Sequence, residues 1–293
     1  MGIMRRFAGF ARFIRWERQR GGAVDLDRLR ARYAADILGS TGVENPRVEA
    51  AFASVPREDF LTPPPWRIFL PGGVIEKNTS DPSELYIDVL VVLDRAKGIN
   101  NGQPSLHAAW IAAVDPQPGD SAVHIGIGTG YYTAILATLV GEGGRVEAYE
   151  IEARLAALAE RHLARFPQVT VHAASGVGQA LPEADVIYVN AAATAPDARW
   201  LTALKPLGRL VFPWQPGRGG AVTLVVRRTA GGFAADPTIA VGFIACVGAQ
   251  EPPAASAGRD PRDTRSVWLR SDRPPDATAT AVYDDVWFSS DPV

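Results

Sequence analysis

Val123-His124-Ile125-Gly126-Ile127-Gly128-Thr129-Gly130-Tyr131-Tyr132-Thr133-Ala134 is a short apolar, β-rich run that feeds a glycine-rich turn, and an apolar helical stretch, Thr133 to Val140, follows at once. Downstream, Gly144-Arg145-Val146-Glu147-Ala148-Tyr149-Glu150 reads as a second strand ending on a carboxylate. Strand, glycine turn, helix, strand and acid form the nucleotide-binding half of a doubly wound α/β sheet. Each part has a separate physical reason. Glycine lets the backbone turn tightly and approach a ligand. A helix N-terminus offers unpaired N–H groups. A carboxylate at the tip of the next strand can accept hydrogen bonds from both hydroxyls of a ribose.

The spacing also separates cofactors. A dinucleotide site expects Gly-x-Gly-x-x-Gly. Here the third glycine comes one residue early and Tyr131 occupies its place. That spacing resembles the turn of S-adenosylmethionine-dependent methyltransferases, which cradle no pyrophosphate, and it disfavours an NAD(P) oxidoreductase.

At 293 residues, the chain is long enough for one large domain with additions. Hydrophobic content of 47% and charged content of 21% fit an ordinary soluble protein. A net charge of −2 gives no support for a nucleic-acid partner. One cysteine, Cys246, excludes an internal disulfide, and four scattered histidines offer no metal-ligand set. No apolar run reaches membrane-spanning length, so a reducing cytoplasmic setting is expected.

Residues 1–24 form a basic amphipathic arm. It carries Arg5, Arg6, Arg12, Arg15, Arg18 and Arg20, with Ile3, Phe7, Phe10 and Ile14 on one helical stripe. We read it as a helix packed on the body of the protein or on a second copy, rather than on an anionic surface. Residues 25–250 read as the catalytic domain, opening with N-terminal helices: Asp25 caps the first, and Leu29, Tyr33, Ile37 and Leu38 keep its period. Residues 62–82, with five prolines, read as an irregular loop, and Leu85–Leu93 as a strand or crossing segment. A helix is expected over Ser105–Val114, and α/β alternation continues to a strand at Arg209–Pro213. A terminal antiparallel hairpin follows, Ala221–Arg228 and Thr238–Val247 around Gly231-Gly232. Residues 251–293 read as a linker and a C-terminal extension whose Val267–Leu269 and Tyr283–Phe288 fold back on the domain or on a partner.

Several motifs in order resemble the protein-L-isoaspartate O-methyltransferase family, from about Leu29 to Val247. They are Val55-Pro56-Arg57-Glu58-Asp59-Phe60, then Gln103-Pro104, then Gly130-Tyr131-x-Thr133-Ala134-Ile135-Leu136-Ala137, then Glu150, Asn190-Ala191-Ala192, and the Gly231-Gly232-Phe233 turn. The resemblance implies a Rossmann-like methyltransferase sheet, S-adenosyl-L-methionine as cofactor, and a protein or peptide carboxylate as acceptor, with protein repair as its role. It places the cofactor against His124, Gly126, Gly128, Gly130, Tyr131, Thr133, Glu150, Ser175, Gly176 and Asn190. Three departures stand out. His124 replaces an acid ahead of the glycines, Ala174-Ser175-Gly176 replaces Gly-Asp-Gly, and Asn100-Asn101-Gly102 replaces the substrate-facing Thr-Ile-Ser.

Methyl transfer from a sulfonium to a carboxylate is an in-line displacement on an oxygen already ionised near neutral pH, so no general base is obligatory. With both hydroxyls lost, the amides of Asn100, Asn101 and Gln103 are the candidates for holding the acceptor; a mere Asn-Gly turn is the plainer reading. His107 either faces the acceptor cleft or packs, and Tyr131 and Tyr132 flank the cofactor loop. Trp66 and Trp110 read as core. The alternatives are a relative that methylates a modified peptide or small metabolite, and a cofactor-binding module without catalysis.

Overall fold

Ser121–Ile125 (β5) is buried along its whole length because it is an interior strand of a ten-stranded sheet, paired on both sides and with a hydrophobic core on each face. The structure, a computed structural model, describes residues 24–70, 76–216, 220–250 and 260–293. The basic arm, apart from Val24, and residues 251–259 of the linker lie outside the described residues. Arg145–Tyr149 (β6) and Val169–His172 (β7) pair in parallel on one side of β5, and Ala184–Val189 (β8) and Leu204–Trp214 (β9) on the other. The parallel order β7-β6-β5-β8-β9 therefore reverses direction between β5 and β8. In open α/β sheets a ligand crevice forms at such a switch point, beyond the carboxyl ends of the strands.

Side chains alternate across the sheet with the strand period of two. Ala122, Val186, Tyr188 and Val211 join one core, while Val123, Ile125, Ile187 and Phe212 join the other. The first core is covered by Leu26–Thr41 (α1), Pro46–Ser54 (α2), Pro104–Val114 (α3) and Tyr131–Val140 (α4), with Ala153–His162 (α5) at its margin. The second holds Trp200 and Leu201 of the short helix Ala198–Ala203 (α6). The helix ends follow the local chemistry: Asp25 accepts from Asp27 N and Arg28 N, both at 3.1 Å, and Asn45 accepts from Val48 N.

Two expectations are corrected. The proline-rich stretch is not wholly irregular: Trp66–Phe69 (β1) and Glu76–Thr79 (β2) form a small antiparallel sheet with Leu90–Asp94 (β3) and Ile99–Asn100 (β4). The prolines at 63–65 and 82 fall outside these strands and so cost no ladder bonds. The hairpin's second strand is Phe233–Val241 (β11), paired with Ala221–Arg228 (β10), so it starts and ends earlier than its apolar run suggested. Residues 242–247 leave the ladder and line a cleft, where Phe243 stacks on Trp110 with centroids 5.0 Å apart.

The C-terminal segment returns to the domain. Ser266–Leu269 (β12), Ala279–Val282 (β13) and Val286–Ser289 (β14) extend the sheet beyond β11 in the order β11-β12-β14-β13. Phe288 stacks on Trp214 at 4.3 Å, which ties the extension to the end of β9.

Candidate functional site

A cleft of about 1140 Å³ opens at the switch point. Its inner end is the glycine turn. Gly126, Gly128 and Gly130 all take the left-handed conformation (φ +77°, +59° and +97°), in which a Cβ would be strained. A Cβ on Gly126 would stand 3.5 Å from the backbone carbon of Asn190. That is ordinary contact, so at Gly126 it is the left-handed backbone and not the space that calls for glycine. Glu150 at the tip of β6 is buried, and each oxygen accepts one backbone N–H: Oε2 from Gly128 at 2.7 Å and Oε1 from Glu152 at 2.9 Å. Burial raises its pKa above the ordinary value, and those two backbone donors oppose the rise. One lone pair on each oxygen is left for a ligand's hydroxyls. Beside it stands Ile151, apolar yet 47% exposed and lining the cleft.

His124 does not line the cleft; it lies beneath, fully buried. Its Nε2 is 2.8 Å from Asn190 Nδ2 and its Nδ1 3.0 Å from Thr133 Oγ1. The amide donates to Nε2, and the ring N–H donates to Thr133. Asn190 is thereby turned so that its Oδ1, which has no partner among the described residues, is left for the cleft it lines. Burial pushes the His124 pKa down to about 3, so the ring is neutral. Gly130 and Thr133 also stand behind the cleft; Gly130 begins α4, packed against Leu163. Tyr131 and Tyr132 are both buried and reach the cleft floor, Tyr131 against Phe52 and Phe60. Ser175 and Gly176 line the far wall; Gly176 O accepts from Trp200 Nε1, and a Cβ there would meet Ile125 at 2.6 Å.

The outer end of the cleft is built by Arg57, which is fully buried. Its guanidinium donates to Leu85 O at 2.7 Å, Ile87 O at 3.3 Å, Val89 O at 2.6 Å and Asn101 Oδ1 at 3.3 Å. It thus gathers the 85–89 segment and Asn101 around one charge. Of the three amides expected at the acceptor, Asn100 closes its own turn by accepting from Gly102 N at 2.9 Å. Gln103 Nε2 donates to Asp88 Oδ2 at 2.7 Å. Asp88 also accepts from Ser105 N at 2.8 Å, capping α3 from a distance in sequence. Asn101 alone of the three leaves a buried donor, Nδ2, without a partner among the described residues.

Ile151, Asp88 and the gathering role of Arg57 were missed from sequence. An apolar residue directly after the acid was the one available signal, for Ile151. Asp88 and Arg57 act through contacts 17 to 44 residues away that no local pattern announces. No group of three or more metal-ligating side chains occurs among the described residues, and no described helix is long and apolar enough to cross a membrane.

The family model described as protein-L-isoaspartate(D-aspartate) O-methyltransferase matches residues 77–251. The protein-L-isoaspartate O-methyltransferase of Roseiflexus castenholzii is 31% identical over 216 residues, covering 73% of this chain and 89% of that one. That of Methylorubrum extorquens is 32% identical over 208 residues, covering 70% and 82%. The Thermotoga maritima enzyme of the same name is 31% identical over 183 residues, but the match spans only 53% of its length and 60% of this chain. Among solved structures, a protein-L-isoaspartate O-methyltransferase superposes with a TM-score of 0.63 at 23% identity, covering 88% of this chain and 86% of that one. A Plasmodium falciparum structure assigned to the same enzyme class, in complex with S-adenosyl-L-homocysteine, gives 0.60 at 17% identity, covering 74% and 97%. These two likenesses establish the Rossmann-like fold.

Proposed function

The chain belongs to the protein-L-isoaspartate O-methyltransferase family, and from that premise we propose that it transfers methyl from S-adenosyl-L-methionine to a carboxylate of the isoaspartyl class on a protein or peptide. One observation carries the reading. A single cleft is lined by both the glycine turn with Glu150 and the Asn101–Gln103 segment, so donor and acceptor groups would meet in one space.

The residues present fit the cofactor. Glu150 has lone pairs for two ribose hydroxyls, Ile151 offers an apolar surface for a base, and Asn190, whose buried Oδ1 has no partner among the described residues, lines the same cleft. When bound, S-adenosylmethionine supplies a methyl group on a positively charged sulfur. The chain's own part is positioning and exclusion of water. Oriented reactants held in line can account for several orders of magnitude in rate. An ionised acceptor needs no proton removed, in keeping with a cleft whose histidine, His107, is a poor base because burial holds its pKa well below the ordinary value.

The test is to incubate the protein with methyl-labelled cofactor and a short isoaspartyl peptide, and to count methanol released from base-labile ester. Labelled ester on the isoaspartyl peptide and none on its aspartyl isomer is the expected result. Absence of ester on both would remove the acceptor assignment. The hydroxyl-free Asn100-Asn101-Gly102 turn favours a second reading, in which a modified peptide or small metabolite is the acceptor; methyl transfer to such a molecule but not to isoaspartate would select it.

A further inference from the structure

Gly102 ends the Asn100–Gly102 turn at φ +75°, and the space where its side chain would project is already filled. A Cβ built there would stand 2.0 Å from Nε2 of His107 and 2.7 Å from its Cδ2. The edge of the imidazole thus occupies the place that the side chain of residue 102 would otherwise take.

His107 lies in the first turns of α3, 1% exposed, with its ring fixed on several sides. It stacks on Tyr132 with centroids 3.8 Å apart and planes 13° from parallel, and Nδ1 lies 2.7 Å from the hydroxyl of Tyr188. Nε2 has no partner among the described residues, although the ring borders the cleft. Tyr188 is buried and its hydroxyl makes no other hydrogen bond among the described residues, so it donates to Nδ1. The ring proton is therefore on Nε2. Burial, with Arg57 and His124 nearby, holds the His107 pKa well below its ordinary value, so the ring is a neutral donor.

A second donor in the same condition stands next along the chain. Asn101 Oδ1 is occupied by Val91 N at 2.8 Å and by Arg57, which leaves Nδ2 buried and unpartnered among the described residues. Two orphaned N–H donors thus flank a glycine at the acceptor end of the cleft. Buried donors without partners are costly and call for an explanation. The described charged residues of the lining are Asp36, Asp88, Glu150 and Glu152, with no lysine or arginine among them. A carboxylate entering here must be held by neutral donors.

We infer that His107 is an acceptor-binding residue, its Nε2–H and the Nδ2–H of Asn101 together holding an oxygen of the acceptor carboxylate. The inference rests on the carboxyl-methyltransferase reading above. His107 then does from α3 what a side chain at position 102 cannot do from a glycine.

The test compares H107F, which keeps a flat ring but no donor, with H107Q, which carries an N–H near the Nε2 position. H107F should raise KM for a short isoaspartyl peptide tenfold or more while S-adenosylhomocysteine affinity stays within twofold, and H107Q should recover most of the loss. An unchanged KM in H107F overturns the inference while leaving the reading intact. Wild-type protein that makes no ester on the isoaspartyl peptide overturns both. A measurement free of variants uses wild-type protein with ¹⁵N-labelled histidine and S-adenosylhomocysteine. The His107 Nε2 signal should be that of a protonated nitrogen and should move on adding the isoaspartyl peptide. An unprotonated or unmoved Nε2 overturns the inference.

Discussion

Glu150 is a buried carboxylate held by two backbone N–H groups, and its pKa is raised because burial outweighs those donors. A ligand hydroxyl bonds the ionised form. Cofactor affinity should therefore be greatest above the Glu150 pKa and fall as pH drops through it, beginning higher than for an ordinary carboxylate. E150Q should weaken S-adenosylhomocysteine about 10- to 100-fold, the loss of a hydrogen bond to a charged group worth roughly 1.5–3 kcal/mol, and should flatten that pH profile. Calorimetric titration between pH 5 and pH 8 checks both. His124 acts on stability in the same direction for a different reason. Its folded pKa of about 3 lies below its ordinary 6.5, so the unfolded chain binds the extra proton between those values. The stabilising contribution is fully present above pH 6.5 and is lost as pH falls toward 3, by up to about 1.4 kcal/mol per unit. Urea unfolding at pH 7 and pH 5 should show the fall, and H124Q should lessen it. The sequence marked His124 as an anomaly ahead of the glycines. Its work of turning Asn190 was hidden there, because the partner lies 66 residues away.

Among elements, the glycine turn divides into two jobs. Gly130 starts α4 behind the cleft, and a Cβ there would stand 2.9 Å from Leu163. G130A should cost roughly 1–2 kcal/mol from left-handed backbone strain, more if Leu163 cannot move, with cofactor affinity kept in the folded protein. Gly128 borders the cleft and its N–H holds Glu150, so G128A should weaken cofactor binding as well as stability. Thermal melts with and without S-adenosylhomocysteine separate the two. This turn and the strands around it were legible because strand, glycine and acid follow one another at short range. The small sheet over 66–100 was not, since prolines hid short strands whose partners are far along the chain. The end of the apolar run, 242–247, departs for a related reason. Its residues suit a strand, but β11 stops at Val241, Phe243 stacks on Trp110 and the segment lines the cleft instead. Asn100, Asn101 and Gln103 are legible as a group, yet only the fold shows that each bonds a neighbour and that Asn101 alone keeps a buried N–H without a partner among the described residues.

At the scale of the whole molecule, the chain past residue 260 is part of the main sheet. It covers β11, an edge that would otherwise be open to pairing, and Phe288 is wholly buried against Trp214. F288A should cost about 3–5 kcal/mol in urea unfolding, as expected for an aromatic removed from a packed core. A change within 0.5 kcal/mol would mean that the extension is dispensable to the domain. The two ends of the cleft are assembled from opposite parts of this architecture, the glycine turn by the parallel strands and the Asn101 segment by Arg57 and the small sheet. For the proposed transfer, these two ends must serve one reaction. A crystal structure with S-adenosylhomocysteine and an isoaspartyl peptide decides whether they do. The ribose hydroxyls should lie on Glu150 and the isoaspartyl carboxylate beside Gly102, bonded to Asn101 and His107. Cofactor bound away from Glu150, or a carboxylate held elsewhere while this end of the cleft stays closed, would contradict that transfer.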